Sequence, residues 1–173
     1  MARSSLRVLV PVVFVAGCAT APPPVPAPVP LSTATPAQMV ATVRAAGETA
    51  DTEVAVRPLR NPATADLRDL AARQQARGAL ADAAATLDRA VEVAPEDPAL
   101  LQERAEAALL LGDLAAAEAH ARRALAIGTQ VGPLCRRHWA TVEQVRLAVG
   151  DRAGADAAQA QVAACRVDRP ARY

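Results

Sequence analysis

The sequence predicts an all-α protein in which antiparallel helical hairpins stack into a short solenoid of about three repeats. The main observation is a repeated phrase: GALADA at residues 78–83 returns as GDLAAA at residues 112–117, thirty-four residues later. The match continues in register, since AVEV at residues 90–93 corresponds to ALAI at residues 124–127. A fixed period of this length is typical of stacked helical hairpins and not of a single closed domain.

The composition agrees with this fold class. Alanine, the strongest helix former, is abundant, whereas aromatic residues make up only 2% of the 173 residues. A sheet would need more β-branched and aromatic side chains. The formal net charge is +1, and it becomes about −1 without Arg3 and Arg7 of the predicted leader. This weak charge disfavours nucleic acid as a partner.

The first residues predict a signal peptide over residues 1–17. Two Arg precede an apolar run at residues 8–15, which is too short to span a bilayer. The following VAGC at residues 15–18 resembles the lipobox of bacterial lipoprotein signal peptides. The resemblance implies that Cys18 is the acylated membrane anchor, and Ala19 after it implies the outer membrane of a Gram-negative cell. An ordinary secretory leader and a buried helix are the alternatives.

Residues 18–36 are expected to form a disordered, proline-rich tether. Proline lacks the amide donor and fixes φ, so this stretch favours an extended spacer. Fully extended, it reaches on the order of 50 Å from the membrane, at about 3.1 Å per residue. The alternative is a proline-rich ligand for a recognition module.

Residues 37–63 are interpreted as a lead-in to the repeats. Thr35 and Pro36 predict the start of a short helix ending near Ala46, with Met39, Val40 and Val43 on one face. Residues 48–58 alternate apolar and polar side chains, which indicates an extended segment. This segment either lies along the first hairpin or pairs with a partner.

The region from about residue 64 to residue 166 resembles tetratricopeptide (TPR) repeats. Residues 64–97 and 98–131 form the first two units, each with small residues in the second helix. The first unit matches the TPR pattern at Leu67, Leu70, Ala71, Gly78, Ala83, Leu87, Ala90 and Pro95. The second matches it at Leu101, Ala105, Ala108, Gly112, Ala117 and Ala124. Gln74 departs from the family pattern in the first unit, and Arg104 and Ala121 depart from it in the second.

Residues 132–167 are interpreted as a third, irregular capping hairpin, followed by a tail at 168–173. Gly150 stands thirty-eight residues after Gly112, so four residues are inserted. Helices are predicted over residues 134–149, with Trp139 at the TPR tryptophan position, and over residues 153–167. Terminal repeats are commonly atypical.

Cys135 and Cys165 are predicted to form a disulfide. Each lies fifteen residues from Gly150, so a bend at that glycine places them side by side at the open end of the hairpin. An oxidising envelope favours the bond. A metal pair with His138 and buried free thiols are the alternatives.

The residue inventory does not predict catalysis, a cofactor or a metal site. Neither His120 nor His138 has a nucleophile or carboxylate partner at a recognisable spacing, and no phosphate-binding glycine loop is present. The TPR resemblance instead implies partner binding on the concave face, which the first helix of each hairpin lines. Counting from the turn glycines, the residues expected on that face are Arg68, Gln75, Gln102, Glu106, Arg137 and Gln144.

These observations predict a non-catalytic, membrane-anchored periplasmic adaptor that binds another envelope protein or a peptide segment of one. Polar groups on a concave helical face suit an extended peptide or a helix. The alternative is a structural envelope lipoprotein that self-associates into a homo-oligomer. The sequence does not identify the partner.

Overall fold

The computed structural model describes residues 29–48 and 61–166, and every regular element there is a helix. The helices are α1 Pro36–Ala46, α2 Pro62–Ala76, α3 Leu80–Val93, α4 Pro98–Leu111, α5 Leu114–Ile127, α6 Gly132–Ala148 and α7 Arg152–Ala164. The predicted all-α class is therefore confirmed. In the described part of the chain, no helix has the length and apolar character needed to cross a bilayer.

Several sequence-based predictions fall outside the described residues. They are the signal peptide, Cys18, most of the tether, residues 49–60 of the extended segment and the tail. The described end of the tether contacts the fold, because the Leu31 amide donates to the Leu147 carbonyl at 2.8 Å and Ala34 packs against the apolar core.

The six helices after α1 form three antiparallel hairpins, α2–α3, α4–α5 and α6–α7, and successive hairpins contact each other through α3–α4 and α5–α6. The turns use Gly78, Gly112 and Gly150, with φ of 79°, 75° and 81°. This left-handed conformation carries a steric cost for other residues, which explains why the same residue marks each turn.

Side-chain caps fix where most helices begin. Thr35 accepts from the Gln38 amide, and the Gln38 side chain accepts from the Thr35 amide, so the predicted start of α1 is a complete capping box. Asn61, Asp97 and Asp113 cap α2, α4 and α5 with a side-chain oxygen alone, without the reciprocal bond of a capping box. These side chains accept hydrogen bonds from first-turn amides that lack a partner within the helix.

The hairpins pack through small residues. Ala83, Ala90, Ala117 and Ala124 of the second helices are all 0% exposed, as the repeat interpretation expected. Leu87 and Leu100 join Ala83 and Ala90 in one apolar cluster that connects the first hairpin to the second. Alanine at these positions lets neighbouring helices approach closely, so the array holds together with few aromatic residues.

The third hairpin differs in its helix ends from the prediction. Helix α6 begins at Gly132, two residues before the predicted start, and α7 ends at Ala164, three residues before the predicted end. Pro133 lies in the first turn of α6, where a missing amide donor costs nothing. Beyond α7, Cys165 acts as the C-cap and its carbonyl accepts from the Gly132 amide at 2.7 Å.

Cys135 and Cys165 form the predicted disulfide, with their Cα atoms 5.8 Å apart. Both residues are buried, and the bond closes a separation of 30 residues. It joins the first turn of α6 to the end of α7, which is the open end of the hairpin. The alternatives of a metal pair with His138 and of free thiols are therefore wrong for this structure.

Helix α1 lies across the first helices of the second and third hairpins, packing against α4 and α6. Its stripe of Met39, Val40 and Val43 is at most 5% exposed. The stripe shares an apolar cluster with Leu109 of α4 and Val145 of α6. The sequence predicted the helix and its apolar face but not this position.

Candidate functional site

The first helices of the hairpins line one side of the array, as the repeat interpretation expected, but α1 covers the α4–α6 part of that side. Four of the six residues expected to face a partner are buried: Arg68 is 8%, Gln102 0%, Glu106 1% and Gln144 7% exposed. The expectation that these four side chains face solvent is wrong. Glu106 accepts from Arg44 of α1, and Gln102 bonds to Thr141 and His138 of α6.

Four of the six predicted residues nevertheless line one cavity of about 220 Å³ beside the C-terminal end of α1. They are Arg68, Gln75, Glu106 and Arg137. We call this space the charged cavity, because it is also lined by Arg44, Asp69 and Glu103. Gln102 and Gln144 do not line it. Whether any of these residues binds a partner stays a prediction.

Glu106 is the centre of the charged cavity. Its Oε2 accepts from Arg44 Nε of α1 at 2.8 Å, and its Oε1 accepts from Arg137 Nε of α6 at 3.1 Å. Gln102 Nε2 donates to the same Oε1 at 3.1 Å. One buried carboxylate therefore connects α1, α4 and α6 through charge-assisted hydrogen bonds.

Gln102 extends this network into the core. Its Nε2 also donates to Thr141 Oγ1 at 3.0 Å, so its Oε1 faces His138 Nδ1 at 2.7 Å. Because an amide oxygen only accepts, the proton of this bond belongs to His138 Nδ1. His138 Nε2 is then a buried lone pair without a hydrogen-bond partner among the residues that the structure describes. His138 is fully buried, so it packs in the core.

Arg68 connects the first hairpin to the second at the other wall of the charged cavity. Its Nε donates to Glu103 Oε2 at 3.0 Å, and its Nη1 lies 3.5 Å from Asp97 Oδ2. Arg68 is 8% exposed, so it also is not freely presented. Asp69 beside it is exposed and forms no ion pair within the described ranges. Asp69 is thus a free negative charge at the rim.

The charged cavity balances three guanidinium groups against three carboxylates, so it does not favour a small anion or cation. Within the residues that the structure describes, no group of three His, Cys, Asp or Glu side chains is arranged to hold a metal ion. Its uncovered groups, Asp69 and Gln75, are able to bind a polar or basic side chain of a polypeptide.

Stability should depend on pH through His138. Burial, and then the Arg137 guanidinium, lower the pKa of His138 to about 3 from 6.5. Below about pH 6.5 His138 is protonated in the unfolded chain but stays neutral in the folded chain, so acidification favours unfolding. We expect this residue to reduce the free energy of unfolding by up to about 1.4 kcal/mol per pH unit between about pH 6 and pH 4.

Urea unfolding of the wild type and of His138→Asn across that pH range measures this contribution. Asparagine keeps a donor for Gln102 but does not titrate, so the slope of stability against pH should be shallower in the variant. His120→Asn serves as the comparison. Burial also lowers the pKa of His120, but this side chain is only half-buried, so its substitution should change the slope less than His138→Asn does. Equal slopes for the wild type and His138→Asn would contradict the prediction.

A second space, which we call the open groove, lies between α1 and α2 above Leu110 of α4. It has a volume of about 570 Å³. Alanines form both walls: Ala37 and Ala41 on α1, and Ala72 and Ala76 on α2. It meets the charged cavity at Arg44, Ala72 and Gln75, which line both.

The sequence analysis missed three charged residues that line the charged cavity: Arg44, Asp69 and Glu103. The apolar stripe of α1 was a usable signal for Arg44, since a helix that buries one face brings its neighbouring polar residues to the same contact. Nothing in the sequence indicated which helices that face covers.

Comparison with solved structures identifies a relative. The globular C-terminal domain of P. aeruginosa LpoP is 34% identical to this chain, with a TM-score of 0.56, and the match covers 61% of this chain and 99% of that one. The chain belongs to the family of this LpoP domain. No protein-family model matches the chain, and no curated protein matches it significantly. The TPR resemblance therefore stays an interpretation.

A third space in the described part of the LpoP-type domain lies between α5, α6 and α7. It has a volume of about 430 Å³ and lies beside Trp139 and Val142, between α5 and α7. Arg146 crosses it, donating to Glu118 of α5 through Nε at 3.2 Å and to Asp151 through Nη1 at 3.0 Å. Through these bonds Arg146 links the second and third hairpins of the LpoP-type domain, so we assign this space a structural role.

Proposed function

We propose that this protein is a non-catalytic, lipid-anchored adaptor of the periplasm that binds another envelope protein through its concave face. The anchor is Cys18, the membrane is the outer membrane, and the proline-rich residues form the tether. Membership of the LpoP family supports an envelope lipoprotein with a protein partner. The lipobox resemblance supports the anchor.

The single observation that carries the binding surface is the junction of the open groove and the charged cavity. An apolar groove that ends at polar side chains has the two properties of a peptide-binding surface: apolar area for affinity and polar groups for register. Gln75 lines both parts and is partly exposed.

The absence of a catalytic role is part of the proposal. His138 has no solvent contact and a pKa near 3, so it is neutral and enclosed at neutral pH. His120 is partly buried among the helix α5 alanines, and burial followed by Arg104 lowers its pKa. Neither histidine has the partner that a general base requires.

Photo-crosslinking in living cells tests this proposal. A photoreactive amino acid at Gln75 of the full-length chain should form an adduct with another envelope protein, identified by mass spectrometry. The matched control is Ala85, which is exposed on α3 away from both spaces. The identity of the crosslinked protein would show whether the partner belongs to a secretion, pilus or cell-wall machine.

Two outcomes would overturn the proposal. Equal adducts from Gln75 and Ala85 would mean that the concave face has no specific partner. An adduct formed only with a second copy of this chain would instead support the structural, self-associating alternative.

A further inference from the structure

The open groove repeats the position that α1 occupies. Helix α1 lies over residues that stand two and six positions before the turn glycines. Leu110 and Ala148 stand two positions before Gly112 and Gly150, and both pack against the α1 cluster. Glu106 stands six positions before Gly112 and accepts from α1.

One repeat earlier, no helix within residues 29–48 and 61–166 covers the same positions. Ala76 and Ala72 stand two and six positions before Gly78, and together with Leu110 they line the open groove. Stacked repeats present equivalent surfaces at each step. The α2–α4 step of this array therefore offers an equivalent of the surface that already holds an eleven-residue helix at the α4–α6 step.

From this equivalence we propose that the open groove binds an amphipathic helix of the partner protein, lying beside α1 and extending its layer over α2 and α4. This inference rests on the proposed function and specifies the partner's chemistry. The partner helix presents aliphatic residues to Leu110, Ala72 and Ala76, and a basic residue to Asp69.

A helix fits the groove better than an extended peptide does. The walls consist largely of alanine methyl groups at i, i+4 spacing on two helices, which permit close approach of a third helix. An extended peptide would bury backbone amides and carbonyls against walls that offer few hydrogen-bond partners, whereas a helix satisfies its own.

The charge at the rim selects a basic residue. Helix α1 brings Arg44 to Glu106, with Nε 2.8 Å from Oε2. At the rim of the charged cavity, Asp69 is exposed and has no ion-pair partner in the part of the chain that the structure describes. Asp69 stands nine positions before Gly78, about one helical turn before Ala72, which is the equivalent of Glu106. A basic residue near the C-terminal end of the partner helix would pair with Asp69 by reaching about one turn beyond the position that Arg44 takes at Glu106.

A peptide with the sequence of residues 33–48 is the probe, because it contains α1 and its caps. Labelled with fluorescein and titrated with the purified full chain, it should bind saturably with one peptide per chain. A scrambled peptide should not bind. If the peptide does not bind saturably, the inference is wrong, whatever the photo-crosslinking at Gln75 captures in cells. The proposed function depends only on that crosslinking result.

Substitutions locate the binding. Ala72→Gln fills the groove without changing charge and should weaken binding by at least about tenfold, while Ala81→Gln on exposed α3 surface should not. Asp69→Asn should weaken binding by about two- to fivefold. This loss should disappear when Arg44 of the peptide is replaced by Gln.

Three other results would assign the groove differently and overturn the inference. Sensitivity to Ala148→Gln but not to Ala72→Gln would mean that the peptide displaces α1. Sedimentation showing a dimer that Ala72→Gln abolishes would make a second copy the occupant. Peptide binding that appears only after residues 49–60 are replaced by a Gly–Ser linker would assign the groove to the chain itself.

Discussion

Replacing both Cys135 and Cys165 by Ser is expected to lower the free energy of unfolding by roughly 3 to 4 kcal/mol. The disulfide closes a separation of 30 residues, and the chain-entropy model gives this magnitude for such a loop. The loss is large relative to the total stability of a small domain. Urea unfolding of the oxidised wild type and of the double variant measures it.

The position of the effect should be visible as well as its size. Amides of α6 and α7 should lose most hydrogen-exchange protection in the variant, whereas those of α2 and α3 should keep theirs, because stacked repeats contact only their neighbours. Treating the wild type with a reductant should reproduce the variant. A loss below about 1 kcal/mol would contradict a structural role for the bond.

Glu106→Ala is expected to cost roughly 1 to 3 kcal/mol. Glu106 is 1% exposed and accepts from Arg44, Arg137 and Gln102, so its removal leaves one N–H of the buried Gln102 amide and two partly exposed guanidinium groups without this acceptor. The buried donor carries a desolvation penalty, whereas water partly solvates the two guanidinium groups. Thermal and urea unfolding measure the change.

Two further variants separate charge from packing at this site. Glu106→Gln keeps the shape and one acceptor, so it should cost less than Glu106→Ala. Glu92→Ala removes an exposed carboxylate of α3 and should change stability by less than about 0.5 kcal/mol. If Glu106→Ala behaved like Glu92→Ala, the contact between α1 and the array would not depend on this carboxylate.

The repeats and the disulfide were predictable because both depend on local spacing. A left-handed turn restricts the residue at one position, so Gly78, Gly112 and Gly150 are visible in the sequence without knowledge of the fold. The disulfide followed from the symmetry of two cysteines about Gly150. The ends of the third hairpin were missed because Pro133 tolerates the first turn of a helix and does not only mark a loop.

The position of α1 was not predictable for a physical reason. The stripe of Met39, Val40 and Val43 requires burial against some apolar surface, but the hydrophobic effect is non-directional and does not specify which one. The Arg44–Glu106 contact that joins α1 to α4 connects residues that are distant in sequence. Consequently four of the predicted residues line one cavity, whereas the expected exposure of Arg68, Gln102, Glu106 and Gln144 was wrong.

The contact between Leu31 and Leu147 also sets the mechanical load path of the molecule. Tension applied through the residues that precede Val29 acts on the hydrogen bond from the Leu31 amide to the Leu147 carbonyl and on the packing of α1 against α6. Helix α6 is covalently joined to the end of α7 by the disulfide. A pull on the amino-terminal side thus meets the crosslinked hairpin first.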